Sequence, residues 1–155
     1  VMNDPGSPEK DRRTATLLHA RMTCDKGDHS SVLDELREIS SFGGASGAEA
    51  HYLLAENEYL EGRQSECRVI LKEFIENYKI QEVWWNKGLL LWVRTYIAHG
   101  DFEEARNTAN TIVENVEAPD VQEAVADLLF EIERLESEQA ENESNGNNNS
   151  STDDQ

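Results

Sequence analysis

The side chains of this 155-residue chain with the most obvious chemistry are two thiols and four imidazoles: Cys24 and Cys67, and His19, His29, His51 and His99. Cys24 and His29 stand five positions apart with Asp25 and Asp28 between them, so a turn there would gather one sulfur, one imidazole and two carboxylates. Zinc asks for three or four ligands and a second layer of hydrogen bonds that orients them. This set falls short, and its two aspartates already serve as helix-boundary residues. No metal site and no cofactor are expected. His51 and His99 fall within helices, with no Ser, Cys or Asp in sequence range to complete a nucleophile–base pair. The cysteines have no CxxC spacing and are too few for a disulfide framework; a bridge between them stays open, and with it the redox compartment.

Carboxylates and glycines point the same way. Glu56 and Glu58, and Glu103 and Glu104, are close enough in sequence to be imagined as paired acids. A general acid needs a cleft that raises its pKa, whereas acids on a helix surface ordinarily face water. Gly43-Gly44-Ala45-Ser46-Gly47 does not follow the spacing of a phosphate loop, and no strand precedes it, so residues 40 to 47 read as a plain loop. No residue is nominated as catalytic, and an enzyme is not expected. The rival reading is a small helical enzyme or metal-binding protein built on the His and Cys residues.

Charge narrows the partners. Fourteen Lys and Arg stand against 32 Asp and Glu, a formal charge of −18. Nucleic-acid affinity rests on cations that displace counterions from phosphates, so a nucleic-acid role is not expected. No run approaches the roughly 18 apolar residues that cross a bilayer. Membrane insertion is not expected either. The start, Val1-Met2-Asn3-Asp4-Pro5, is no basic and apolar leader, so a signal peptide, if there was one, is expected to have been removed, or the segment to belong to a longer protein.

The elements that would position any site are helices. Residues 83 to 114 read as a helical hairpin: Trp85, Leu89, Trp92, Val93 and Tyr96 share one face, His99-Gly100-Asp101 breaks the chain, and Phe102, Ala105, Ala109 and Ile112 form the second stripe. Gly100 suits the left-handed end of the first helix, and Asp101 suits a side-chain cap on the second. Ala105 and Ala109 would let Trp92 and Tyr96 lie close. Gly88 implies a bend or a close approach. Before this hairpin, the pattern predicts a helix from Asp11 to Cys24 with Ala15, Leu18, Ala20 and Met22 inward, and a second through Ser40, capped by Ser30 or Ser31, with Val32, Leu33, Leu36 and Ile39 inward. A third helix starts near Ala48 and ends at Gly62, and a fourth runs from Ser65 to Tyr78 with Cys67, Ile70, Leu71, Phe74 and Ile75 inward. A final helix opens at Pro119 and carries Val121, Ala124, Val125, Leu128, Leu129, Ile132 and Leu135 on one side. The organisation expected is a linker over 1–10, a helical domain over 11–138 and a disordered acidic, Asn- and Ser-rich tail over 139–155.

The pattern Leu89, Trp92, Tyr96, then Gly100-Asp101-Phe102 and Ala105 resembles a tetratricopeptide repeat, a helix-turn-helix unit of about 34 residues. Turn glycines at Gly27, Gly62 and Gly100 are 35 and 38 residues apart. The resemblance covers roughly 11–137 and implies an all-α chain: an α-solenoid of about three such hairpins plus a C-terminal capping helix. Glu58 departs from the pattern, standing where Tyr96 stands in the third unit. Stacked hairpins leave a concave face lined by their first helices. Turning each first helix so that its core stripe meets its neighbours leaves Arg21, Tyr52, Glu56, Tyr59, Lys87, Leu90 and Arg94 on that face. The expected function is a non-catalytic scaffold binding a protein or peptide, with a structural segment packed against upstream repeats as the alternative. The run AEAHYLLAENEYLEG with the WW…LLL…Y…GDFEEA segment is similar to tetratricopeptide proteins of Bacteroidetes-type envelopes, which implies a periplasmic or envelope location; the residues themselves leave the cytoplasm open.

Overall fold

A computed structural model describes residues 8–24 and 32–149. They form seven helices and no strand: α1 (Pro8–Cys24), α2 (Leu33–Ser40), α3 (Gly44–Leu60), α4 (Gln64–Asn77), α5 (Glu82–His99), α6 (Phe102–Asn115) and α7 (Pro119–Asn149). Every helix packs on the next one in the chain, and the odd-numbered helices also touch in order, α1 on α3, α3 on α5 and α5 on α7.

The core follows the apolar stripes. Leu17 and Ala20 of α1, Leu36 and Ile39 of α2, Leu53 and Ala55 of α3, and Cys67, Leu71 and Phe74 of α4 bury together and meet Leu91 of α5. A second cluster joins Val93 of α5 to Ala105, Ala109 and Ile112 of α6 and Val121, Val125, Leu128 and Ile132 of α7. Helix α5 therefore sits between two cores and is apolar on more than one side, as a helix packed all round must be. Gly88 is where the closest approach falls: a Cβ there would lie 2.4 Å from Cε1 of Phe74. Arg106 of α6 pairs with Glu136 and ties α7 down.

Several expectations are corrected. Helix α1 begins at Pro8, three residues inside the expected linker, because proline fits the first turn of a helix. Its inward residues are Leu17 and Ala20, while Leu18 and Met22 are exposed. The loop expected over 40–47 is only 41–43, and α3 already runs from Gly44. Gly47 inside that helix is closely packed, since a Cβ would sit 3.2 Å from both the Ser40 carbonyl oxygen and the Tyr78 hydroxyl. Trp92 turns toward the first core, not toward Ala105 and Ala109. Asp101 makes no side-chain capping bond; its backbone carbonyl accepts from the Ala105 amide at 2.9 Å. Gly62 and Gly100 end their helices at φ +75° and +83°, where glycine costs least. Helix α7 runs through Asn149, into the segment read as the tail. Exposed i,i+4 bonds, Arg134 to Glu138 at 2.7 Å and Gln139 to Glu143 at 3.2 Å, span the region where apolar periodicity has ended. Residues 150–155 of that tail, and Asp25, Asp28, His29, Gly27 and the Ser30 or Ser31 cap, lie outside the described residues.

Candidate functional site

Three helices bring together most of the residues that sequence places on the concave face, and the ring at their centre is Trp84. This half-buried side chain, near the start of α5, packs on the first core. Tyr52 of α3 approaches it with ring centroids 5.6 Å apart. From α1, the Arg21 guanidinium lies 5.8 Å from the Trp84 ring, and from α5 the Lys87 ammonium lies 4.5 Å from it and 6.0 Å from Tyr52. Two cations thus flank one indole, an arrangement that the negative face of the ring favours.

Two carboxylates on this face are engaged. Glu49 is buried and pairs with Arg21, joining α3 to α1. That hydrogen bond raises the Arg21 pKa further above its ordinary value, against the opposing cost of burial. Tyr52 donates its hydroxyl hydrogen to Glu56 at 2.8 Å. Burial pushes the Tyr52 phenol well above its usual range, the Glu56 charge and hydrogen bond add to this, and Arg94 pulls the other way. The phenol stays protonated at neutral pH. Lys87 and Arg94 are exposed and have no ion-pair partner among the described residues.

The face differs from expectation at three positions. Tyr52 is only 8% exposed, so it supports the cluster from within rather than offering its own surface. Tyr59 is half-buried against the first core. Leu90 is half-buried against the second core and lines a recess beside Lys87 that also holds the carboxylates Glu82 and Asp120. Arg21, Glu56, Lys87 and Arg94 reach solvent, Glu56 partly. Trp84 and Glu49 were not foreseen. The signal for Trp84 lay in its spacing, since positions 84, 87/88 and 91 form a second stripe on α5 opposite the one read.

What the cluster exposes is charge and one ring face: the cations Arg21 and Lys87 and the half-buried indole of Trp84, supported from below by Tyr52. Elsewhere, no three His, Cys, Asp or Glu side chains among the described residues gather as metal ligands, and no helix among them is long and apolar enough to cross a membrane. Cys67 is fully buried, and burial pushes its thiol up to about 12. Set beside known proteins, the chain matches no family model, no curated protein and no solved structure.

Proposed function

We propose that this chain is a non-catalytic peptide-binding scaffold, a solenoid of tetratricopeptide-like hairpins whose odd-numbered helices form the binding face. The observation that carries the reading is the cluster of Arg21, Trp84 and Lys87, contributed by α1 and α5 and buttressed by Tyr52 of α3, whose phenol also feels the charge of the exposed Arg94. Support for the repeat architecture comes from the contacts of α1 with α3, α3 with α5 and α5 with α7, which stacked hairpins require. Arginine and tryptophan are the side chains enriched where interfaces concentrate their energy. An envelope location remains what the sequence resemblance implies.

The test is a random-peptide display selection on the immobilised chain, repeated on the double variant Lys87→Glu with Arg94→Glu after circular dichroism confirms that it folds. Peptides retained by the parent and released by the variant are the expected result. No enrichment, or equal retention by both, would overturn the reading.

A further inference from the structure

Lys87 and Arg94 stand seven positions apart on α5. Seven residues of helix rise about 10.5 Å and return to within about 20° of the same bearing, so the two cations form a pair of posts on one face. Between them lies Tyr52, whose ring is 6.0 Å from Lys87 and whose phenol feels the charge of Arg94, while Trp84 stands one turn before Lys87, with its ring 4.5 Å from that ammonium. Of the neighbouring acids, Glu49 and Glu56 are held by Arg21 and by the Tyr52 hydroxyl, while Glu82 and Asp120 line the recess beside Lys87 without an ion pair to it. Lys87 and Arg94 are both exposed and in no ion pair among the described residues, in a chain of net charge −18.

We propose that this face takes an acidic peptide in polyproline II conformation, with two carboxylate side chains three residues apart seated on Lys87 and Arg94. The proposal rests on the peptide-binding reading above and names the ligand's chemistry. The spacing selects the conformation. A polyproline II chain has three residues per turn and rises about 3.1 Å per residue, so residues i and i+3 point the same way about 9 Å apart, close to the separation of the posts. A β-strand repeats every second residue at about 3.3 Å each, which puts same-face side chains about 6.6 or 13 Å apart and misses it. Aromatic side chains are the usual bed for polyproline II segments, and the exposed part of Trp84 takes that role. Arg94 can grip its carboxylate through two parallel bonds, while Lys87 acts as a point charge.

Fluorescence anisotropy with labelled proline-rich peptides tests this. One peptide carries two glutamates separated by two residues, a second carries them side by side, and a third carries lysines at the positions of the first. The first should bind tightest. Lys87→Glu or Arg94→Glu should each weaken it on the order of tenfold or more, the usual scale for a charge-assisted hydrogen bond, and the double variant should prefer the lysine peptide. Lys87→Gln and Arg94→Gln serve as milder variants if a charge reversal unfolds the chain. Equal binding of the two acidic peptides, or no response to the variants, overturns the proposal. The display selection separates the two failures: enriched peptides that need Lys87 and Arg94 but lack acidic pairs sink this proposal alone, and no enrichment sinks both.

Discussion

Phe74 of α4 lies directly over Gly88 of α5, leaving no room for even one methyl group: a Cβ would fall 2.4 and 2.8 Å from two atoms of the ring. Phe74 is fully buried, so the ring has little freedom to retreat. Gly88→Ala gains up to ~1 kcal/mol of helix propensity, but overpacking a filled core costs about 1–3 kcal/mol. The clash should win, and the urea midpoint should fall. A midpoint that rises would mean that α4 and α5 part without cost and that the two cores are not held together here.

The start of α3 depends on a second close contact. Tyr78 donates its hydroxyl hydrogen to the Ser40 carbonyl at 2.9 Å, and Gly47 is wedged beside both atoms. Tyr78→Phe should cost about 1 kcal/mol. Gly47→Ala should destabilise less in the Tyr78→Phe background than in the parent, because the hydroxyl it presses on is gone. Strict additivity in a double-mutant cycle of denaturant unfolding would contradict the shared contact.

His51 makes stability depend on pH. Its ring lies 5.8 Å from Phe74 and 5.6 Å from Tyr78. Burial lowers its pKa, with the Glu73 charge and the Ile70 backbone opposing in part. The folded state therefore binds the proton less readily than the unfolded chain. Stability from this site is fully present above the unfolded value of roughly 6.5 and declines as pH falls through that value toward the lower folded pKa. Comparing the parent with His51→Gln by urea unfolding at neutral and mildly acidic pH, the parent should lose more stability on acidification. Identical losses would show that the histidine charges freely in place.

Cys67 should be inert. Its side chain is fully buried and its thiol is pushed up to about 12, so almost no thiolate exists at neutral pH. In a Cys24→Ser background, Ellman's reagent should react with Cys67 only as fast as the protein unfolds. Immediate stoichiometric reaction in native buffer would contradict the packing of α4.

Much of the fold was legible because its signals are local. The stripes of α2, α4, α6 and α7 name the buried residues, Gly62 and Gly100 mark their turns, and Cys67 fills the same small slot that Ala105 fills in the next pair, both fully buried. What escaped depends on neighbours that sequence does not display. Gly47 reads as a loop residue by composition, yet it lies inside α3, where the Tyr78 hydroxyl, 31 residues away in sequence, would stand 3.2 Å from any Cβ added there. A single stripe cannot describe α5, since α3, α4, α6 and α7 all pack on it. Reading only one of its faces hid Trp84 and misplaced Leu90. The burial of Tyr52 follows from the rings and charges of α5 that close over it.

A peptide seated on the face formed by α1, α3 and α5 has to rest against Trp84. The most direct measurement is to titrate an isotope-labelled chain with a peptide from the display selection and follow amide and indole signals by NMR. The Trp84 indole and the signals around Arg21, Lys87 and Arg94 should move together, saturate with one affinity, and stay still in the Lys87→Glu, Arg94→Glu variant. Shifts confined to α2, α4 and α6, with the Trp84 indole unmoved at saturation, would contradict peptide binding on this face.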